Sequence, residues 1–401
     1  MHPRDLKSLS RPWWEGDGLS IGPDGLCLDG ASLASLAEAH GTPLYVYGRA
    51  SALARLADLR AALASTGLEH DVYYAIKANR HPPLVSALVS AGAHIDACSP
   101  REVRLAISLG VSPRNISFNA GMLSDRDLDA VVKEGVHVTL DSRSVMRRYG
   151  ARVPRGTAVG LRLDPGVETG YGHDPKLVYG NAKFGIRHED LDDAVAVARA
   201  AGLTIDVLHT HCGWGLQADD HDRVDLAFAR LAAAAARVGV ATVNVGGGLG
   251  ARQRAADVPL ALAAWAACLR RHFGPLGVRV ICEPGTLLVA SAGVLLAEVT
   301  TVEQKGGTLW FGLDAGHNVN MYAAHYGIPL EIVPLARPDA VVDTLASVAG
   351  NLNESGDVFA RDRLLPQLAE GDRVALLPAG AYGATMSSDH CLRGGVREVL
   401  V

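Results

Sequence analysis

Between about residue 70 and residue 285 the chain alternates eight short apolar or β-branched runs with segments whose apolar residues recur at helical spacing. The runs are VYYAIK, HIDAC, ISFN, VHVTL, VGLRLD, IDVLHTHC, TVNVGGG and VRVICE; helical stretches such as 100–109, 124–134, 188–201, 221–238 and 258–273 fall between them. Strands that alternate with helices predict right-handed crossovers and a parallel sheet. Eight of them predict an α/β fold closed into a (β/α)8 barrel, with an open doubly wound sheet as the alternative. The flanks differ in character. Residues 18–35 predict a small hairpin around Pro23-Asp24-Gly25, and from 287 onward VASAGVLLAEVTTVEQ, TLWFGLDAG, LEIVPLA, DRVALLPAGAYG and VREVLV predict a β-rich C-terminal domain that the hairpin joins. The expected segments are 1–42 with the β-domain, 43–285 as the barrel and 286–401 as the C-terminal β-domain.

The polar positions on these runs add a second layer. Nearly every run ends in one: Lys77, Asp96, Asn119, Asp141, Arg162 with Asp164, His209 with His211, the turn Gly246-Gly247-Gly248, and Glu283. A single polar strand end is an ordinary cap. In a barrel, however, the C-terminal strand ends surround one mouth, so eight scattered positions become one site.

Composition narrows the class. The 401 residues are 48% hydrophobic, enough for a large core and more than one domain. A formal charge of −5 with arginines scattered among acids provides no basic footprint for nucleic acid. Residues 1–20 hold no continuous apolar core, so neither a signal peptide nor a membrane span is expected and the predicted location is cytoplasmic. The six cysteines are widely spaced without metal-like pairing; Cys98, Cys212 and Cys282 lie on apolar runs and read as small core residues.

Lys77, one of only six lysines, closes an aromatic, apolar run. A lysine there either packs its stem and sends its ammonium to water, or serves as a nucleophile whose lowered pKa suits a Schiff base with an aldehyde cofactor. Unobstructed amides in Gly246-Gly247-Gly248 can approach a phosphate, or the glycines are a plain tight turn. Glu283, before Pro284-Gly285, can keep a pyridine nitrogen protonated or cap a turn. His211 can lie flat on a cofactor ring. His209 and His211 share a face and could suggest a metal, but no acid or cysteine at ligand spacing completes a set, and no metal is expected. Together an amine, an anion-binding turn, a carboxylate and a flat histidine describe a pyridoxal 5′-phosphate (PLP) site.

YYAIKAN, HTHCG, NVGGG, CEPG, NESGD and GAYG resemble, in order and spacing, the fold-type III PLP-dependent decarboxylases that include diaminopimelate and ornithine decarboxylases; the resemblance covers about residues 30–401. It implies a PLP-binding barrel with a C-terminal β-domain, in a homodimer with shared active sites. By that resemblance Lys77 forms the Schiff base, His211 stacks on the ring and Glu283 pairs with the pyridine nitrogen. Gly246, Gly247, Gly248 and Tyr382 bind the phosphate, and Asp96 and Arg162 support the site from inside. Lys183 and Asp357 match a pair that bridges protomers. Glu354 matches the position that reads the distal end of an amino-acid substrate, supplied by the partner chain.

Departures from the pattern carry the substrate expectation. Asn353 stands where the family's proton-donating cysteine lies, and asparagine has no titratable proton near neutral pH. His317, His325, His390 and Cys391 are candidate replacements. Thr286 and Tyr322 stand where diaminopimelate decarboxylases carry arginines, removing two forked carboxylate binders. Tyr326 is retained, Trp214 replaces a small serine, and His390-Cys391 replaces a Tyr-Asn pair at the pocket edge. These changes predict α-decarboxylation of an amino acid other than meso-diaminopimelate. The alternatives are a PLP enzyme of this fold that deaminates, eliminates or racemises, and a PLP-binding relative without turnover.

Overall fold

The computed structural model describes residues 11–173, 176–180 and 182–401. The described residues divide into two compact units: one holds Ala52–Ala251 with Val258–Val289, the other residues 11–51 with Arg252–Asp257 and Ala290–Val401.

The first unit is the expected parallel barrel. Its strands are His70–Ala75, His94–Ala97, Ile116–Asn119, His137–Leu140, Thr157–Asp164, Leu203–Thr210, Thr242–Asn244 and Arg279–Cys282. Each pairs in parallel with the next, and Val280–Cys282 pairs with His70–Val72 to close the ring. The short strand Ile186–Arg187 adds to the end of Thr157–Asp164. Ile95, Phe118, Leu161, Leu208 and Val243 are fully buried, as expected of strands covered on both faces. Serines start three of the helices that follow: Ser99, Ser124 and Ser142 each accept the amide three residues on, and Ser124 with Asp127 completes a capping box. These caps stop each strand close to its polar end and turn the chain outward.

The second unit is built on the 13-residue strand Gly293–Lys305. Its first half pairs with Leu44–Tyr47 and Arg373–Leu377, and its second half with Thr308–Leu313 across the Gly306-Gly307 turn. The predicted hairpin is present, Leu19–Gly22 against Gly25–Leu28. Gly25 holds φ at +104°, and a Cβ there would overlap the Leu335 carbonyl, so only glycine fits. Leu26, Leu28, Leu33, Leu44, Val46, Val294 and Leu296 form the core of this unit.

The division falls at Ser51/Ala52 and Val289/Ala290, where the sequence suggested 42/43 and 285/286. The run LYVY at 44–47, inside the segment expected for the barrel, pairs instead with Gly293–Lys305 and Arg397–Leu400. Among the described residues no helix is long and apolar enough to cross a membrane.

Candidate active site

Lys77 lies two residues beyond the strand His70–Ala75, in a turn held by Ala75 donating to the Pro284 carbonyl and Ile76 to the Asp96 carbonyl. These bonds tie it to the ends of both neighbouring strands. Its Nζ donates to Asp96 Oδ2 and to Cys98 Sγ, each at 3.3 Å. Asp96 and Cys98 are two residues apart, on one face of the end of the next strand. The Lys77 side chain keeps 41% of its exposure while Asp96 has none. The amine is therefore reachable from the mouth but held from inside. Burial and the Glu283 charge push Asp96 up to about 7 against the pull of Lys77. Cys98 was expected to be core filling; it is instead half-buried against the amine, and burial pushes its thiol up to about 12 although Lys77 pulls the other way.

Glu283, just past the closing strand, is buried among donors. Asn244 Nδ2 donates to Oε1 at 2.6 Å, Ser117 Oγ lies 3.5 Å from the same oxygen, and His209 Nε2 is 3.1 Å from Oε2. Burial acts to raise this carboxyl, but His209, Lys77 and the Asn244 amide outweigh it and hold it down to about 2. His209 Nε2 is committed to this network, with Asn119 Nδ2 2.9 Å from it. Ser117 and Asn244 are participants that the sequence reading missed, although both sit on polar strand positions.

His211 accepts the Gly247 amide on Nδ1 at 3.1 Å, so its neutral form carries the proton on Nε2. Burial, then the Arg162 and Lys77 charges, hold it well below the usual histidine range. The ring meets Tyr179 edge-on at 4.9 Å, and Arg162 stacks over Phe184 at 4.6 Å. In the glycine turn, a Cβ on Gly246, Gly247 or Gly248 would overlap the carbonyls of Thr210, Glu283 and Gly213 respectively. Two of its amides are already used, Gly246 by Asn244 Oδ1 and Gly247 by His211. The turn thus fixes His211 and the Glu283 strand end at the same time.

Trp214 and Thr286 form one buried contact, the indole donating to the hydroxyl at 2.8 Å, with Trp214 edge-on to Tyr171. In the β-rich unit, Tyr322 stacks on Tyr382 at 5.5 Å and meets Tyr326 at 5.7 Å, while Tyr382 holds φ at +61°. Glu354 and His390 are exposed and 3.0 Å apart, and Asn353 beside them is exposed. Asp357 is buried and accepts the amides of His317 at 2.6 Å and Leu352 at 2.8 Å. Lys183 is exposed, 5.1 Å from the centre of the Phe184 ring.

The barrel mouth fits PLP. Among the described residues, Asp96 Oδ1, Asn119 Oδ1 and His209 Nδ1 are buried polar atoms without a partner, in a barrel whose Lys77 amine remains reachable. A flat group with a polar rim and an aldehyde matches them.

A family model described as "Pyridoxal-dependent decarboxylase, pyridoxal binding domain" matches residues 50–290. A diaminopimelate decarboxylase of Methanothermobacter thermautotrophicus is 33% identical over 94% of this chain and 90% of its own length. One of Streptomyces coelicolor is 33% identical over 93% and 88%. The crystal structure of diaminopimelate decarboxylase from M. jannaschii in co-complex with L-lysine superposes with a TM-score of 0.86 at 27% identity, covering 96% of this chain and 93% of that one.

These relatives overturn the expectation of a substrate other than diaminopimelate. That expectation counted substitutions as independent losses. The structure shows Thr286 and Trp214 as one mutually bonded pair, and Tyr322 as part of an aromatic cluster with Tyr326 and Tyr382. With a family match over more than half of its length, the chain belongs to the pyridoxal-dependent decarboxylases, enzymes that remove a carboxyl group from an amino acid with pyridoxal 5′-phosphate.

Proposed function

We propose that this enzyme decarboxylates meso-diaminopimelate, releasing CO2 and lysine. The observation that carries the reading is the near-full-length similarity to proteins named diaminopimelate decarboxylase. The site supports it in its parts. When bound, PLP supplies an aldehyde that condenses with an amine and a pyridine ring that takes up the electrons left by departing CO2. Lys77 is the amine that holds the cofactor and yields its place to the substrate amine. Asp96 keeps that amine at the barrel wall during the exchange. Glu283 would hold a negative charge for a protonated ring nitrogen, and His211, neutral and fixed by Gly247, would offer the ring a flat face. Gly248 and the loop 213–215 would serve the phosphate, with Gly246 and Gly247 positioning them.

The exposed group Asn353, Glu354 and His390 supports a homodimer in which this edge completes a partner's barrel. The test is direct. Purified protein with PLP and meso-diaminopimelate is expected to release CO2 and lysine in equal amounts; absence of both, with the cofactor bound, overturns the reading.

Gly247→Ala tests the turn. The added methyl overlaps the Glu283 carbonyl, which is backbone and cannot step aside. The variant is expected to bind PLP about tenfold or more weakly, as the turn, His211 and the Glu283 strand end shift together. Titration of the apoprotein with PLP measures this. Unchanged affinity would mean the turn does not shape the site.

A further inference from the structure

Removal of CO2 leaves the substrate's α-carbon in need of a proton. The group that returns it must hold a proton at neutral pH and lie close to the nitrogen bonded to that carbon. The substrate amine takes the place of the Lys77 amine, so its α-carbon is one covalent bond from that position. Asp96 and Cys98 each lie 3.3 Å from Lys77 Nζ. Asp96, pushed up to about 7, is divided between its two forms at neutral pH, whereas the Cys98 thiol stays protonated up to about 12. Cys98 is also fixed in place. Its backbone amide donates to Glu102 Oε2 at 2.7 Å, and Ser99 after it caps the helix that begins at Pro100. Asn353 has no such proton to offer.

From this geometry we infer that Cys98 is the catalytic acid that protonates the substrate's α-carbon, with the Lys77 ammonium returning a proton to the sulfur. The step balances. The S–H bond breaks as the α-C–H bond forms, and the thiolate then takes a proton from the Lys77 ammonium, which goes back as a neutral amine to its covalent link with the cofactor. The inference rests on the proposed decarboxylation and is tested apart from it.

If the thiol is the donor, its removal sends the proton to the cofactor's own carbon instead. Water then releases an aldehyde product and leaves the cofactor in its amine form, pyridoxamine phosphate. Cys98→Ala and Cys98→Ser are each expected to raise the fraction of turnovers ending this way at least about tenfold, measured as pyridoxamine phosphate formed per CO2 released. Serine keeps the size and hydrogen-bonding pattern of cysteine, so full rescue by serine would mark the role as structural and overturn the inference. A wild-type ratio in both variants would overturn it as well and assign the acid to Lys77 or another group. A second arm needs no turnover. In the apoprotein, the pH midpoint for reductive methylation of Lys77 is expected to move by about half a unit or more in Cys98→Ala, because the thiol contacts the amine; an unmoved midpoint would remove that contact and the inference with it. Failure of wild-type protein to release CO2 from meso-diaminopimelate sinks the substrate reading alone, since the methylation arm decides the Lys77–Cys98 contact for any substrate.

Discussion

Replacing Lys77 with alanine is expected to abolish the covalent link to PLP and reduce turnover by at least about a thousandfold, the largest loss from any single substitution at this site. Asp96 and Cys98 beside the amine remain, but a carboxyl group and a thiol cannot form the imine that an aldehyde cofactor needs. Borohydride reduction followed by peptide mass measurement reads the link directly: the wild type should carry the cofactor mass on the peptide containing Lys77, and the variant none. A variant that still reduced to a cofactor-bearing peptide, or kept a tenth of the activity, would move the anchor elsewhere. The substitution has a second, independent signature. Asp96 sits in the folded protein with its carboxyl at about 7, above the ordinary value of 3.8, so ionising it costs stability. A carboxyl whose folded pKa is raised destabilises the fold progressively as pH rises from the unfolded value to the folded one. In the wild type that loss levels off above about pH 7. Without the Lys77 charge, Asp96 moves higher still, so the variant should go on losing thermal stability between pH 7 and pH 8 while the wild type does not. Parallel melting curves at pH 6, 7 and 8 check this.

The barrel and its polar strand ends were legible because a strand covered on both faces has little reason to carry Asp96, Arg162, His209 or Glu283 except where the barrel opens. Which of them touch was not legible. The contacts of Glu283 with Ser117, His209 and Asn244 join strands up to 166 residues apart in sequence and exist only once the barrel closes. Cys98 was misread for a chemical reason: a thiol on an apolar run looks like a small core residue, and its proximity to Lys77 arises from the turn after Ala75. Leu44–Tyr47 was assigned to the wrong unit because an apolar strand does not declare which sheet it joins. The substrate was misjudged for a related reason, since Trp214 and Thr286 lie 72 residues apart and show themselves as one contact only in three dimensions.

Glu283→Gln is expected to lower kcat on the order of a hundredfold while leaving the covalent link to Lys77 intact, which separates it from the lysine variant. Glutamine preserves the shape of the side chain, and its carbonyl oxygen can still accept from Asn244. What it removes is the charge. The wild-type carboxyl is held down to about 2, so it is ionised across the working range and no mild acidification reproduces the variant. With PLP held as proposed, a neutral amide here would offer no anion to keep a pyridine nitrogen protonated, and the ring would be a weaker electron acceptor. The deficit should therefore appear in kcat more than in KM, and should be the same at pH 6 and pH 8. Stability gives the sign check. A carboxyl with a depressed folded pKa contributes stability that is complete above its ordinary value of 4.5 and is lost as pH falls through about 2, so the stability difference between variant and wild type should be constant from pH 6 to pH 8. A variant whose kcat fell less than about threefold would show that the ring nitrogen does not depend on this charge, and would leave the Asn244–Glu283–His209 network a purely structural brace of the barrel.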